Sequence, residues 1–163
     1  MQETCRSDVT KREMTEKYFD TVYRLALSQT RSSDRADDIL QEVFLRYLKT
    51  DKEFESEEHI KAWLIRVTIN CCRKMFASSW FKKTVPLSED IAFESPEAGE
   101  LYKVVGRLPQ KYRAVIHLYY YEELSVAEIA QCLDMNENTV KSHLSRARAK
   151  LREMLKGGHE YEF

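Results

Sequence analysis

Apolar residues recur at three- and four-residue intervals along most of this chain, and that period constrains its fold more than any other feature. A helix gathers positions i, i+3, i+4 and i+7 on one face, whereas a strand gathers alternate residues. Phe19, Val22, Tyr23 and Ala26 follow the helical spacing. Ala36, Ile39, Leu40, Val43, Phe44, Tyr47 and Leu48 extend it and predict a helix from about Asp34 to Lys49. A third stripe runs through Ile60, Trp63, Leu64, Val67, Cys71 and Met75. Ser56 suits its N-cap, and Glu57 and Glu58 favour the positive end of its dipole. With only 3 prolines and 4 glycines in 163 residues, few breakers interrupt the pattern. The expected fold is all-α.

The period fails between about Ala77 and Pro96, where SSWFKKTVPLSEDIAFESP contains two prolines and no helical stripe. Two small helical domains are therefore expected, over 1–77 and 97–163, joined by a flexible linker over 78–96. Helices resume at about Glu97 with Leu101, Val104, Val105 and Leu108. Another follows from Pro109, which suits a first-turn position, through Tyr112, Val115, Ile116 and Tyr119. Ser125-Val-Ala-Glu128 reads as a capping box opening a helix with Ile129, Ala130 and Leu133. Asp134-Met135-Asn136 then turns the chain into a last helix, which makes a helix-turn-helix by spacing.

Charge is zoned along the chain. The total is -1, yet residues 34–59 carry -5, 60–83 carry +6, 84–100 carry -5 and 136–156 carry +4. An acidic segment thus separates two basic zones, and the near-neutral total conceals a charge pattern suited to nucleic acid. No apolar run reaches the length of a membrane span, and MQETCRSDVTKRE has no signal-peptide centre, so a soluble, cytoplasmic protein is expected. Cys5, Cys71, Cys72 and Cys132 form neither a CxxC pair nor a metal-spaced array. Buried thiols, no disulfide, no metal and no cofactor are the expectation.

Three outward faces are candidates for function. On the last helix, Val140, Leu144, Ala147, Leu151 and Leu155 share one side, leaving Asn138, Ser142, Ser145, Arg146 and Ala149 opposite, flanked by Lys141 and Arg152. Small side chains let a helix approach base edges in a major groove while Arg and Lys reach guanine acceptors or phosphates. A solvated basic helix is the bland alternative; the capped helix and tight turn before it favour DNA. On the helix over about 34–49, Asp38, Gln41, Glu42 and Leu45 point outward together. Periodicity alone does not choose between a solvated acidic face and a docking surface around an apolar anchor. The third helix carries Arg66, Asn70 and Arg73 in one outward stripe, followed by Phe76, Trp80 and Phe81 with Lys82 and Lys83. Cations among aromatics suit a strand with unstacked bases, although for any single aromatic here packing is the better reading.

RADDILQEVFLRYL, AWLIRVTIN, LPQKYRAVIHL and LSVAEIAQCL followed by NTVKSHLSRARAKLR resemble, in order, the conserved blocks of bacterial RNA polymerase sigma factors, most closely the extracytoplasmic-function (ECF) group. The resemblance covers about 15–77 and 97–155. It implies a non-enzymatic factor that binds core RNA polymerase and promoter DNA and is commonly held by an anti-sigma partner. Residue by residue, it implies polymerase contact at Asp38, Gln41, Glu42 and Leu45. It implies minus-ten recognition around Arg66, Asn70 and Arg73, with the loop Thr50–Ser56 capturing a flipped base. For the minus-thirty-five element it implies Asn138, Thr139, Lys141, Ser142, Ser145 and Arg146. Asn138 replaces a common glycine, Asp134 stands where glycine often closes the turn, and His143 takes a position often held by Arg. Asp and Asn tolerate left-handed backbone angles, so the turn is expected to survive.

Two other readings compete. A stand-alone helix-turn-helix repressor or activator accounts for 97–156 but leaves Arg35–Leu48 and Asn70 without a role. A thiol or metal enzyme would need Cys71, Cys72 and His59, His117, His143 or His159, but adjacent cysteines on a helix point about 100° apart and no histidine falls at ligand spacing.

Overall fold

A computed structural model of the chain describes residues 2–78, 101 and 103–156, with side chains from Thr10 onward. All regular structure among these residues is helical. The chain divides into two compact units, Met1–Leu87 and Ser88–Phe163. Apart from Ser78, the expected linker over 78–96 lies outside the described residues, as do Trp80, Phe81, Lys82 and Lys83.

The first unit packs α1 (Gln2–Thr30), α2 (Ser33–Lys49) and α3 (Glu57–Ala77) around one apolar cluster. α1 and α2 form a hairpin whose connection is short. Arg31 takes a left-handed φ of 55°, and the Ser32 side chain caps α2 by accepting from the Arg35 N–H. Val22, Ala26, Ala36, Val43 and Tyr47 fill the centre of the cluster with Leu64 and Cys72 from α3. Two polar ties fix α3 against α1: the Lys17 ammonium pairs with Glu57, and the Tyr18 hydroxyl donates to Glu57 Oε1 at 2.9 Å. Ser56 caps α3 as its side chain accepts from the His59 N–H at 3.1 Å.

Two residues of the expected stripes lie on the surface instead. Phe19 is 46% exposed and Leu48 is 50% exposed. On α1 the buried arc runs through Tyr18, Val22, Leu25 and Ala26, so Phe19 falls at its edge, where its ring stacks on Phe44 at 6.4 Å. Leu48 lies one turn beyond Phe44 along the same edge of α2, past the end of the packed arc. On α3 the buried arc is wider than expected, because Ile65, Thr68, Ile69 and Cys72 join Leu64 and Cys71. Thr68 satisfies its hydroxyl by donating to the Leu64 carbonyl at 2.6 Å, which lets a polar residue sit inside.

In the second unit, helical residues 103–106 lead through Leu108 into α4 (Gln110–Ile116). Pro109 stands just before α4, with an extended ψ of 146°, rather than within its first turn. Arg113 reaches back and donates to the carbonyls of Gly106 and Leu108 at 3.2 and 3.1 Å, satisfying groups left by the preceding helix. α4 continues as one π-helical turn, His117–Tyr121, before α5 (Val126–Leu133) and α6 (Glu137–Leu155). Val115, Leu118, Ile129, Val140, Leu144 and Leu151 form the fully buried interior of this unit.

Candidate functional site

The helix-turn-helix is built by local chemistry. Ser125 and Glu128 make the reciprocal capping box, at 3.1 Å from the Glu128 N–H to Ser125 Oγ and 3.0 Å from the Ser125 N–H to Glu128 Oε1. Asp134 ends α5 in the left-handed region (φ 54°, ψ 54°), and the Met135 N–H closes the turn on the Ala130 carbonyl at 3.0 Å. The aspartate therefore supports the turn without glycine. Asn136 Oδ1 then accepts from both the N–H and the hydroxyl of Thr139, each at 2.8 Å, which fixes the start of α6.

With α6 held by Val140, Leu144, Ala147 and Leu151, the side chains of Asn138, Lys141, Ser142, Ser145, Arg146 and Ala149 are exposed, and Thr139 is half-buried. The cations of α6 differ in their surroundings. Arg148 is half-buried: its Nε donates to the Tyr120 hydroxyl at 2.8 Å, and its guanidinium lies over the Tyr119 and Tyr120 rings at 5.4 and 5.7 Å. Arg146 points outward. His143 turns away from the exposed strip to meet the Tyr112 ring edge-on at 5.5 Å. Burial, then the charges of Lys111 and Arg146, hold His143 below the usual imidazole range.

In the first unit, Asp38, Gln41, Glu42 and Leu45 are all exposed on α2, opposite its buried stripe. Leu45 is 49% exposed. Glu42 is partly committed, since its carboxylate accepts from Arg46 Nε at 2.7 Å across one helical turn. Such an exposed pair contributes only about 0.3–0.5 kcal/mol and can exchange partners. Arg66, Asn70 and Arg73 are exposed on α3, while Phe76 is half-buried against the core, as packing alone would place it.

The loop between α2 and α3 is pinned at both ends. The Lys11 ammonium donates to the Leu48 and Thr50 carbonyls at 3.3 and 2.8 Å, and Phe54 packs among Tyr47, His59 and Trp63. Asp51, Lys52 and Glu53 are left exposed between these anchors. Beside the loop, Glu42, Leu45, Arg46, Lys49, Thr50 and Trp63 line an open cleft of about 380 Å³.

The thiols have no comparable setting. Cys71, Cys72 and Cys132 are buried, and burial, with Cys71 alongside, pushes Cys72 up to about 12. A thiol so disfavoured as thiolate is a poor nucleophile. Among the described residues, no group of three or more His, Cys, Asp or Glu side chains is assembled to hold a metal, and no helix is long and apolar enough to cross a membrane.

Comparison with known proteins bears on the whole arrangement. Residues 14–81 match the Sigma-70 region 2 family and residues 98–151 the Sigma-70, region 4 family. RNA polymerase sigma factor SigV of Bacillus subtilis is 32% identical over 137 residues, covering 77% of this chain and 78% of that protein. ECF RNA polymerase sigma factor SigM of the same organism is 31% identical over 158 residues, covering 90% of this chain and 95% of that one. The chain belongs to the ECF sigma factors. Solved structures share the fold. The sigma factor RpoE of Bartonella quintana, in complex with the anti-sigma factor NepR, aligns over 98% of this chain and 100% of its own at TM-score 0.71 and 21% identity. CnrH, in complex with the cytosolic domain of CnrY, aligns over 91% and 89% at TM-score 0.68 and 21% identity. As an ECF sigma factor, the chain is a transcription initiation factor with a DNA-binding region 4 over residues 98–151.

Proposed function

We propose that this sigma factor binds core RNA polymerase through the outward face of α2 and delivers it to promoters read at two separated elements. Asp38, Gln41 and Glu42 around Leu45 form the polymerase surface, with an apolar anchor that loses water inside a rim of acids. Arg66, Asn70 and Arg73 meet the minus-ten element, and the pinned loop Thr50–Ser56 receives a flipped base. Asn138, Thr139, Lys141, Ser142, Ser145 and Arg146 meet the minus-thirty-five element as duplex. These roles assign polymerase binding and strand opening to the domain over 1–77, duplex reading to 97–163, and the span between them to the linker over 78–96.

No bond is made or broken by the protein itself, so this is not an enzyme. Flipping a base costs a few kcal/mol, which contacts to the extruded base and the polymerase can offset. Action on the chromosome's polymerase places the factor in the cytoplasm. RpoE, whose fold this chain shares, was captured with the anti-sigma factor NepR, which supports an anti-sigma partner for this chain as well.

The observation that carries this reading is the pairing of an acidic face around exposed Leu45 on α2 with a small-residue, cation-flanked face on α6. A stand-alone repressor has no use for the first. The test is to add the purified chain to core polymerase on a promoter library: promoter-specific transcripts are expected. Tight operator binding without polymerase, and no transcripts with it, would contradict the reading.

A further inference from the structure

A second group of cations lies beside the exposed strip of α6. Lys111 of α4 and Lys150 of α6 sit over the same Tyr112 ring, with ammonium groups 5.1 and 6.0 Å from its centroid. Arg146 stands one turn before Lys150, on the border between this flank and the strip. All three cations are exposed, and among the described residues none is ion-paired. Lys111 and Arg146 both lower the basicity of His143, after its burial, so their fields converge on the same spot.

The manner of holding matters. A buried aromatic face attracts a cation through its quadrupole and positions it, but it does not neutralise it as a carboxylate does. Glu42 neutralises Arg46 on α2, whereas Tyr112 leaves two lysines with their charge available. Like charges gathered from two helices repel one another in the free protein, and an anion between them relieves that repulsion. On the opposite flank of α6, Arg148 is engaged by a tyrosine hydroxyl and is half-buried, while Lys141 and Arg152 stand exposed without a shared ring among the described residues to gather them.

We propose that Lys111 and Lys150, beside the base-facing Arg146, form a clamp for the sugar-phosphate backbone of one strand of duplex DNA beside the groove that α6 enters. A helix in the major groove is bordered by backbone, and cations on its flank meet phosphates rather than base edges. The clamp rests on the reading of α6 as a DNA-facing helix. It fixes register and contributes affinity independent of sequence, and it leaves base discrimination to the strip.

The test uses the full chain assembled with core polymerase. The probes are a duplex promoter selected by that holoenzyme from a randomised library and the same duplex with its minus-thirty-five element scrambled. Binding is titrated over a range of KCl concentrations for Lys111→Gln, Lys150→Gln, the double variant and Arg146→Ala. The double variant is expected to weaken binding to both duplexes by the same factor. Its log–log salt slope should be smaller by about 0.9 per lost phosphate contact, with Tm unchanged and Lys→Arg replacements restoring the slope. Unchanged affinity and slope in the double variant, while Arg146→Ala still lowers preference for the selected duplex, would overturn the clamp and leave the α6 reading intact. If Arg146→Ala also left that preference unchanged, the α6 reading would fall with it. Loss of an acidic protein partner by the double variant, with DNA binding untouched, would mark a protein-docking surface and overturn the clamp.

Discussion

Arg146 and Arg148 lie two positions apart on α6 yet have different surroundings, one open to solvent and one engaged by Tyr119 and Tyr120. Arg146→Ala should lower promoter affinity by about 1–3 kcal/mol if its contact is a bidentate guanine pair. It should leave core binding unchanged, read by holoenzyme titration on duplex DNA. Arg148→Ala should act through stability instead, lowering Tm without altering base preference. His143 adds a pH signature. Its folded value lies below its unfolded value, so between the two the unfolded chain binds more protons and stability rises with pH. Stability should therefore decline as pH falls below about 6.5, the ordinary imidazole value, and continue to decline until the folded group titrates. Urea melts of the wild type and His143→Gln across pH 5 to 8 check this, and the variant should lose part of the slope.

Among the elements, α6 depends on its cap. Asn136→Ala removes an acceptor shared by the Thr139 N–H and hydroxyl, and it should cost about 1 kcal/mol of stability while weakening duplex binding more than core binding. The existence of the helices was legible because the apolar period is strong and the caps at Ser56 and Ser125 are local. The turn at Asp134 was legible for the same reason. Edges were harder: Phe19 and Leu48 satisfy the spacing, but the width of a packed arc depends on the neighbouring helix and not on period. The π-helical turn His117–Tyr121 leaves no local signal distinct from an α-helix. Four outward residues on α2 and the strip on α6 could be placed from spacing alone. The partner of Arg148 could not, since Tyr120 is 28 residues away and only folding brings it near. The same holds for Lys111 and Lys150, which share a ring across two helices.

For the whole molecule, the proposed roles divide the work by charge: the acidic face of α2 would meet a protein surface, the basic zones DNA, and a net charge of -1 would limit non-specific attraction to phosphate in the free factor. Leu45→Asp places a charge at the apolar centre of the α2 face, so it should abolish core binding while the isolated chain keeps its fold and melting temperature. The most direct test of this division compares Leu45→Asp and Arg146→Ala side by side in a core-polymerase pull-down followed by transcription from a selected promoter. This division of work predicts that Leu45→Asp fails to bring down core, whereas Arg146→Ala brings it down normally and loses only promoter-specific transcript. Equal core binding by the two variants would contradict it.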